Sequence, residues 1–170
     1  MTDSQAKRAK TGTTVLNILI RAPEISDEEI LRVLQAKLFD VDVQDRHGYT
    51  ALMLAILHDR LSCVAEIVAQ SKDLNLRSKV NKTALMYAAA SSPVMTKILV
   101  DAGANPHLVI EVDPLLTEAG RPAHGRSALW CAIRDAKKEC VRILLQNGCS
   151  LDDKYDGTTT YRDLWDGELE

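Results

Sequence analysis

Aromatic residues are scarce in this chain. Only 4% of its 170 residues are Phe, Trp or Tyr, and there is a single Phe, whereas 46% are hydrophobic. A core of this composition must be aliphatic, and Leu, Ile, Val and Ala fit between closely packed helices. The length suits one domain of ordinary size. The composition therefore favours a small helical domain.

The chain also lacks a strong charge of either sign. Charged residues make up 26% of it and the formal net charge is −3. Nucleic-acid binders normally carry a basic excess, so we expect no nucleic-acid partner. A small basic cluster near the N-terminus leaves two interpretations open, a nuclear-import signal and a solvated tail: Lys7, Arg8 and Lys10.

Long apolar runs and paired cysteines are missing as well. No run of 18 apolar residues occurs, and the polar N-terminus lacks the apolar stretch of a signal peptide. No CxxC pair occurs among the four cysteines, Cys63, Cys131, Cys140 and Cys149. We therefore expect a protein of the cytoplasm, the nucleus or both, without a membrane partner.

Catalytic signatures are equally lacking. The chain contains no G-x-x-x-x-G-K, G-x-G-x-x-G, H-E-x-x-H or G-x-S-x-G motif. Its four histidines are scattered, which does not suggest a metal site. We expect no catalytic residue, no metal, no cofactor and no small-molecule substrate.

What the chain does contain is an internal repeat. Similar stretches begin at Gly48, Asn81 and Gly125. Thr50 and Thr83 lie 33 residues apart, and the third copy follows the first at a constant offset of 77 residues. A constant offset through a whole copy indicates a repeat architecture. Cys63 and Cys140 fall on the same apolar position of two copies, which favours burial over metal binding.

The start of each copy carries a recognisable signature. It reads Thr50-Ala-Leu-Met-Leu-Ala55, Thr83-Ala-Leu-Met-Tyr-Ala88 and Ser127-Ala-Leu-Trp-Cys-Ala132. With the 33-residue period, these motifs resemble the T-P-L-H-x-A signature of the ankyrin-repeat family. The resemblance covers about residues 14–165. It implies an all-α solenoid of helix-turn-helix units with short β-hairpin loops.

This resemblance predicts the organisation of the chain. A flexible tail (1–12) precedes an ankyrin-repeat domain (13–170). The domain divides into an N-terminal cap (13–43), repeats at about 44–76, 77–108 and 121–153, and a C-terminal half-repeat (154–170). A loop insertion occupies about residues 108–123. Its many apolar residues either fold back on the domain or contact a partner, and both remain open.

Local chemistry predicts the helices within the repeats. Hydroxyl residues at Thr50, Thr83 and Ser127 can cap the first helices. Positive φ angles are expected at Gly48 and Gly125, and at Asn81, which replaces glycine. First helices are predicted at about 51–58, 84–91 and 128–135, and second helices at about 61–70, 94–102 and 138–147. The second copy is one residue short near Ser91, Ser92 and Pro93, so its first helix should be clipped.

The resemblance implies a function in protein binding. The size and layout are similar to small stand-alone ankyrin regulators of the cyclin-dependent-kinase-inhibitor and plutonium types. We expect a non-catalytic interaction module that serves as a regulatory subunit, inhibitor or activator of a protein kinase in cell-cycle control. The alternatives are an adaptor that masks or tethers a transcription factor, and a generic scaffold.

Candidate binding residues follow from the family's recognition face, which the hairpins and first helices form. Aromatic side chains there are typical of binding hot spots, and packing beneath the insertion is an alternative role for the tryptophan. Three basic residues favour an acidic partner surface. The predicted protein-binding residues are Tyr49, Arg77, Lys79, Lys82, Tyr87, Leu115, Leu116 and Trp130.

Overall fold

A computed structural model describes residues 15–110, 126–154 and 159–165 of the chain. The basic cluster of the N-terminal tail lies outside these residues. The chain divides into two compact units, Met1–Val80 and Asn81–Glu170. Secondary structure within the described residues is helical, which confirms the all-α fold class.

The first unit contains four described helices in two layers. They are α1 (Val15–Arg21), α2 (Asp27–Gln35), α3 (Ala51–Leu57) and α4 (Leu61–Gln70). α1 packs beside α3 in one layer, and α2 packs beside α4 in the other. The two layers contact each other through the pairs α1–α2 and α3–α4. Aliphatic side chains, including Ile20, Ile30 and Ile67, are fully buried between them. This is the aliphatic core that the low aromatic content predicts.

The second unit repeats the arrangement. Its described helices are α5 (Ala84–Ala89), α6 (Pro93–Asp101), α7 (Ala128–Arg134), α8 (Lys138–Gln146) and α9 (Tyr161–Leu164). α5 packs beside α7 and α6 beside α8, while the short α9 packs against α7. The hydroxyls of Ser127 and Tyr161 are hydrogen-bonded at 2.9 Å in a buried contact. That bond fixes α9 to the start of α7.

Hydroxyl caps begin the helices where the sequence predicts them. The side chains of Thr50, Thr83 and Ser127 each accept a hydrogen bond from the amide three residues further on. Ser26 and Glu29 form a reciprocal capping box at the start of α2. Each cap satisfies an amide that the first helical turn would leave unpaired.

Left-handed backbone conformations occur at the turns. Gly48 has φ +77° and Asn81 has φ +62°, as predicted, and Gly125 lies outside the described residues. A Cβ on Gly48 would lie 2.7 Å from the backbone nitrogen of Lys79, so the neighbouring loop also requires glycine there. Asp59 (φ +54°) and Ala136 (φ +52°) adopt the same conformation between paired helices. The sequence did not indicate these two, because neither is glycine or asparagine.

The shortened second copy alters one helix. α5 has six residues, whereas the equivalent α3 and α7 have seven each. Ser92 then caps α6, and Pro93 occupies the first helical turn. The predicted clipping is therefore confirmed, and the repeat helices begin and end within two residues of the predicted positions.

Backbone pairing between the loops is limited. The predicted hairpins are represented, in the part of the chain that is described, by isolated antiparallel bridges such as Ile110 with Arg126. In the first unit, a turn closes through the Asp45 amide and the Tyr49 carbonyl at 2.9 Å. None of the described helices is long and apolar enough to cross a bilayer.

One arginine ties the cap helices of the first unit to the next repeat. Arg60 donates from Nη1 to the Ile25 carbonyl (2.7 Å) and to Asp27 Oδ1 (2.9 Å). Its Nη2 donates to the Ala22 carbonyl at 2.6 Å. The Arg60 side chain is only 14% exposed. A single side chain therefore satisfies three acceptors in the segment that leads from α1 into α2.

Candidate functional site

Three of the predicted binding residues lie on neighbouring loops of the first unit. The Lys79 amide donates to the His47 carbonyl at 3.0 Å, and Gln44 Nε2 donates to the Arg77 carbonyl at 2.7 Å. These bonds hold the loop that contains Tyr49 against the loop that contains Arg77 and Lys79. The Tyr49 ring is half-buried and the Lys79 side chain is exposed.

Two further residues of this loop group were missed by the sequence reasoning. Arg46 and His47 are both exposed, and Arg46 Nε lies 3.0 Å from His47 Nε2. The ring centroids of His47 and Tyr49 are 6.2 Å apart. The buried carboxylate of Asp45 orients the turn by accepting from the His47 and Tyr49 amides. The sequence feature that could have identified Arg46 and His47 is their position in the turn before Gly48.

Trp130 is the centre of a second group, which belongs to the second unit. It lies on α7 and is half-buried. The guanidinium carbon of Arg126 is 5.1 Å from its ring centroid, and that of Arg134 is 4.8 Å from it. Both distances suit a cation–π interaction. The sequence reasoning identified the tryptophan and missed both arginines, although they stand four residues before and after it.

Lys82 and Tyr87 form a similar pair at the start of α5. The Lys82 ammonium is 5.4 Å from the Tyr87 ring centroid. Tyr87 is half-buried on the helix that packs beside α7. The second unit thus presents two aromatic rings on adjacent first helices, Trp130 with two cations beside it and Tyr87 with one.

The helix packing brings these cations into one region, because α5, which follows Lys82, packs beside α7, which carries Trp130. Burial raises the pKa of Cys131 on α7, and the positive charges of Lys82, Arg134 and Arg126 act in the opposite direction. Lys82 precedes α5, whereas the two arginines flank Trp130. We name the group Trp130, Tyr87, Lys82, Arg126 and Arg134 the Trp130 cluster.

Among the described residues, the carboxylate of Asp135 contacts the Trp130 cluster. Asp135 accepts two hydrogen bonds from Arg134, at 2.7 Å from Nε and 2.6 Å from Nη2. The Arg134 guanidinium holds the pKa of Asp135 below its usual value. For Arg126, no ion pair is found within the described residues. The cluster contains three cations, Lys82, Arg126 and Arg134, whereas the whole chain has a net charge of −3.

The base of the insertion folds back on the second unit. Ile110 is buried, and its amide donates to the Arg126 carbonyl at 3.0 Å. Leu108 and Val109 are half-buried. Fold-back is therefore present at the start of the insertion, next to the Trp130 cluster. Leu115 and Leu116 lie outside the described residues.

The pKa values of two cysteines and one histidine are shifted mainly by burial. Burial raises the pKa of Cys63 and that of Cys149 to about 11, which disfavours a reactive thiolate. Burial, followed by the charges of Arg21 and Arg60, lowers the pKa of His58 from 6.5. No group of three or more potential metal ligands occurs among the described residues.

Comparisons with known proteins match the repeat pattern. A family model described as "Ankyrin repeats (3 copies)" matches residues 16–110, more than half of the chain. A model described as "Ankyrin repeat" matches residues 124–156. The two matches include the second helices as well as the signature motifs, and they confirm the ankyrin part of the resemblance.

Curated relatives share part of their length with this chain. XBAT31 of Arabidopsis thaliana, named provisionally as an E3 ubiquitin-protein ligase, is 32% identical over 71% of this chain. ZDHHC13 of Danio rerio, named provisionally as a palmitoyltransferase, is 29% identical over 74% of it. The ankyrin repeat domain-containing protein SAT10 of Stachybotrys chartarum is 33% identical over 82% of it.

These alignments cover minor parts of the relatives. They span 27%, 18% and 7% of the lengths of XBAT31, ZDHHC13 and SAT10. None of these three names refers to a kinase or to the cell cycle. The comparisons therefore support the ankyrin repeats and give no support to the finer resemblance to cyclin-dependent-kinase inhibitors.

Proposed function

The chain belongs to the ankyrin-repeat family, and on that premise we propose that it binds a partner protein through the Trp130 cluster. Ankyrin repeats are a protein–protein interaction module. The binding is non-catalytic: the cluster holds a partner surface and performs no reaction on it. The loop group of Tyr49, Arg77 and Lys79 in the first unit is proposed as a second contact.

The observation that carries this proposal is the pairing of half-buried aromatic rings with cations on adjacent first helices. Trp130 has two guanidinium groups within 5.1 Å of its ring centroid, and Tyr87 has an ammonium group at 5.4 Å. Trp, Tyr and Arg are the residues most enriched in binding hot spots. Because cationic side chains of the same chain already restrict these rings, the rings lose little conformational freedom on binding, which favours affinity.

The test is capture of the partner with tagged protein from cells that contain it, followed by quantitative mass spectrometry. We expect Trp130→Ala and Tyr87→Ala to lose about 2 kcal/mol of binding free energy each, about a thirtyfold loss of affinity. Val94→Ala is the matched control, because Val94 is an apolar residue at the start of α6 with 51% of its surface exposed.

Melting curves separate binding from folding. Lost capture with an unchanged melting temperature supports the proposal, and Tyr87→Ala provides a second variant if Trp130→Ala unfolds. Capture that survives both aromatic substitutions would remove the cluster from the interface. Equal losses for the aromatic variants and for Val94→Ala would do the same.

The regulatory role is a finer proposal within this function. The few-repeat layout and the six-residue α5 resemble small ankyrin regulators of protein kinases, and these two features are its support. A protein kinase as the main captured partner, with activity that changes on adding the chain, is the expected result. A transcription factor as the main partner would favour the masking or tethering alternative, and a mixture of unrelated proteins would favour a scaffold.

A second candidate follows from the relatives' names. Two of them are named as enzymes, and the matched segments make up 27% and 18% of their lengths. If this chain is a segment of such a longer protein, its repeats would select the protein that an attached enzyme modifies. Detection of the native protein with an antibody to the chain distinguishes the cases, because the chain alone has a mass of 18.8 kDa.

A further inference from the structure

We infer that the Trp130 cluster binds an acidic, carboxylate-rich peptide segment of the partner, with Arg126 and Lys82 as the groups that receive its carboxylates. This inference rests on the proposed function and specifies the chemistry of the partner. It is carried by three features of the cluster: the placement of its cations, an internal carboxylate that Arg134 already holds, and the contrast with the charge of the whole chain.

The internal carboxylate demonstrates what a guanidinium in this position binds. Arg134 lies 4.8 Å from the Trp130 ring and at the same time donates two hydrogen bonds to Asp135. A guanidinium that stacks on an aromatic ring keeps its N–H groups at the edge, where a carboxylate accepts two of them. Arg126 lies at a similar distance, 5.1 Å, from the same ring.

Arg126 differs from Arg134 in its surroundings. Its side chain is exposed, and no carboxylate contacts it among the residues that the structure describes. Its backbone is held by the hydrogen bond from the Ile110 amide. The guanidinium is therefore anchored at its base and at the tryptophan ring, and a partner carboxylate would occupy the position that Asp135 occupies on Arg134.

Lys82 provides a second positive charge just before the neighbouring helix, α5. Its ammonium group lies 5.4 Å from the centroid of the Tyr87 ring on α5, the helix that packs beside α7. A peptide that crosses from α7 to α5 would pass both cations and both rings. A peptide in which an apolar residue separates the carboxylates would fit this set of cations and rings, because the apolar residue would contact the rings.

The charge of the whole chain favours a peptide over a nucleic acid. A net charge of −3 repels a long polyanion, whereas a few carboxylates respond mainly to the local cluster. Single-stranded nucleic acids also stack on aromatic rings near arginines. An oligonucleotide is therefore included in the test as the competing ligand.

The probe is a fluorescein-labelled peptide, Gly-Asp-Glu-Leu-Asp-Glu-Gly, titrated with the full chain at low salt and followed by anisotropy. The matched control peptide carries Asn and Gln in place of Asp and Glu. We expect the acidic peptide to bind at least about tenfold more tightly than the neutral one, and to weaken as salt is raised.

Charge-neutralising variants locate the site. Arg126→Gln and Lys82→Gln should each weaken the acidic peptide by about tenfold. Arg142→Gln on α8 and Lys97→Gln on α6 remove the same charge from the other helix layer and should have little effect. Lys82→Gln keeps the test decisive if Arg126→Gln does not fold, since Lys82 lies outside the helices.

Several outcomes overturn the inference. They are equal binding of the neutral peptide, equal losses for the control variants, no saturable binding at about 1 mM, and tighter binding of a labelled oligouridine. If the natural partner is captured in a manner that needs Trp130 but is indifferent to Arg126→Gln and Lys82→Gln, this inference fails and the proposed function stands. If capture does not need Trp130, the proposed function fails.

Discussion

Replacement of Arg60 by Met removes a polar side chain that satisfies three acceptors in the first unit. Arg60 donates to two backbone carbonyls and to the Asp27 carboxylate at 2.6–2.9 Å. Its side chain is 14% exposed and that of Asp27 is 30% exposed. Met keeps most of the aliphatic stem and removes all three donors.

The magnitude follows from the acceptors left behind. Hydrogen bonds to a charged group contribute about 1.5–3 kcal/mol each, and unsatisfied partners regain part of this from water. Because the acceptors are partly accessible, we expect a total loss of about 2–4 kcal/mol. For a domain of this size, that corresponds to a fall in melting temperature of about 5–15 °C.

The assay is urea unfolding followed by circular dichroism. Lys72→Met is the matched control, since it also removes a cation that pairs with a carboxylate, Asp40, at 3.0 Å. That pair is exposed, with 77% and 47% of the side-chain surfaces accessible, so its loss should have little effect on stability. Arg60→Lys should fall between, because one ammonium cannot reproduce the forked geometry.

The reasoning is refuted if Arg60→Met and Lys72→Met destabilise the protein equally. It is also refuted if Arg60→Lys is as stable as the wild type, because the loss would then depend on charge alone. Hydrogen exchange adds a local readout: amides of α1 and α2 should lose protection in Arg60→Met before those of the other helices.

Four further substitutions test the backbone and the pH response. Ala136→Gly should raise the free energy of unfolding by about 0.5–1 kcal/mol by relieving a left-handed alanine, whereas Ala132→Gly, within α7, should lower it by about 1 kcal/mol; urea titrations distinguish the signs. Gly48→Ala should destabilise by at least about 2 kcal/mol in the same assay, since its Cβ would lie 2.7 Å from the Lys79 nitrogen, and a neutral result would contradict the loop geometry. Burial and neighbouring arginines lower the pKa of His58 from its unfolded value of 6.5, so the unfolded state binds more protons. The free energy of unfolding of the wild type should therefore decrease as the pH is lowered from about 7.5 to about 5.5, and His58→Gln should reduce that decrease. Identical pH profiles for the two proteins would contradict the role of His58.

Features decided by neighbours in the chain were predictable. The repeat period and signature motifs predicted the family, and the hydroxyl caps at Thr50, Thr83 and Ser127 predicted where helices begin. The positive φ of Asn81 and the short α5 also followed from a few adjacent residues. Such features depend on local backbone chemistry, so the amino-acid sequence is sufficient to predict them.

Part of the candidate site was predictable for the same reason. Tyr87, Trp130 and Lys82 lie on the hairpins and first helices that the ankyrin resemblance implies as the recognition face, and their aromatic or basic character made them candidates. Arg126 and Arg134 were missed because a spacing of four residues around an aromatic residue does not by itself predict stacking. Their distances to the ring depend on side-chain directions, which only the folded second unit specifies.

The sequence by itself determined the repeat architecture, the helix caps and the aliphatic core, because each depends on periodicity or on contacts within a few residues. Only the tertiary structure decided which distant groups meet. Arg60 reaches a carbonyl 38 residues away, and Ser127 bonds Tyr161 across 34 residues. Long-range contacts of this kind arise when packed helices bring their ends together, and no local preference encodes the choice of partner.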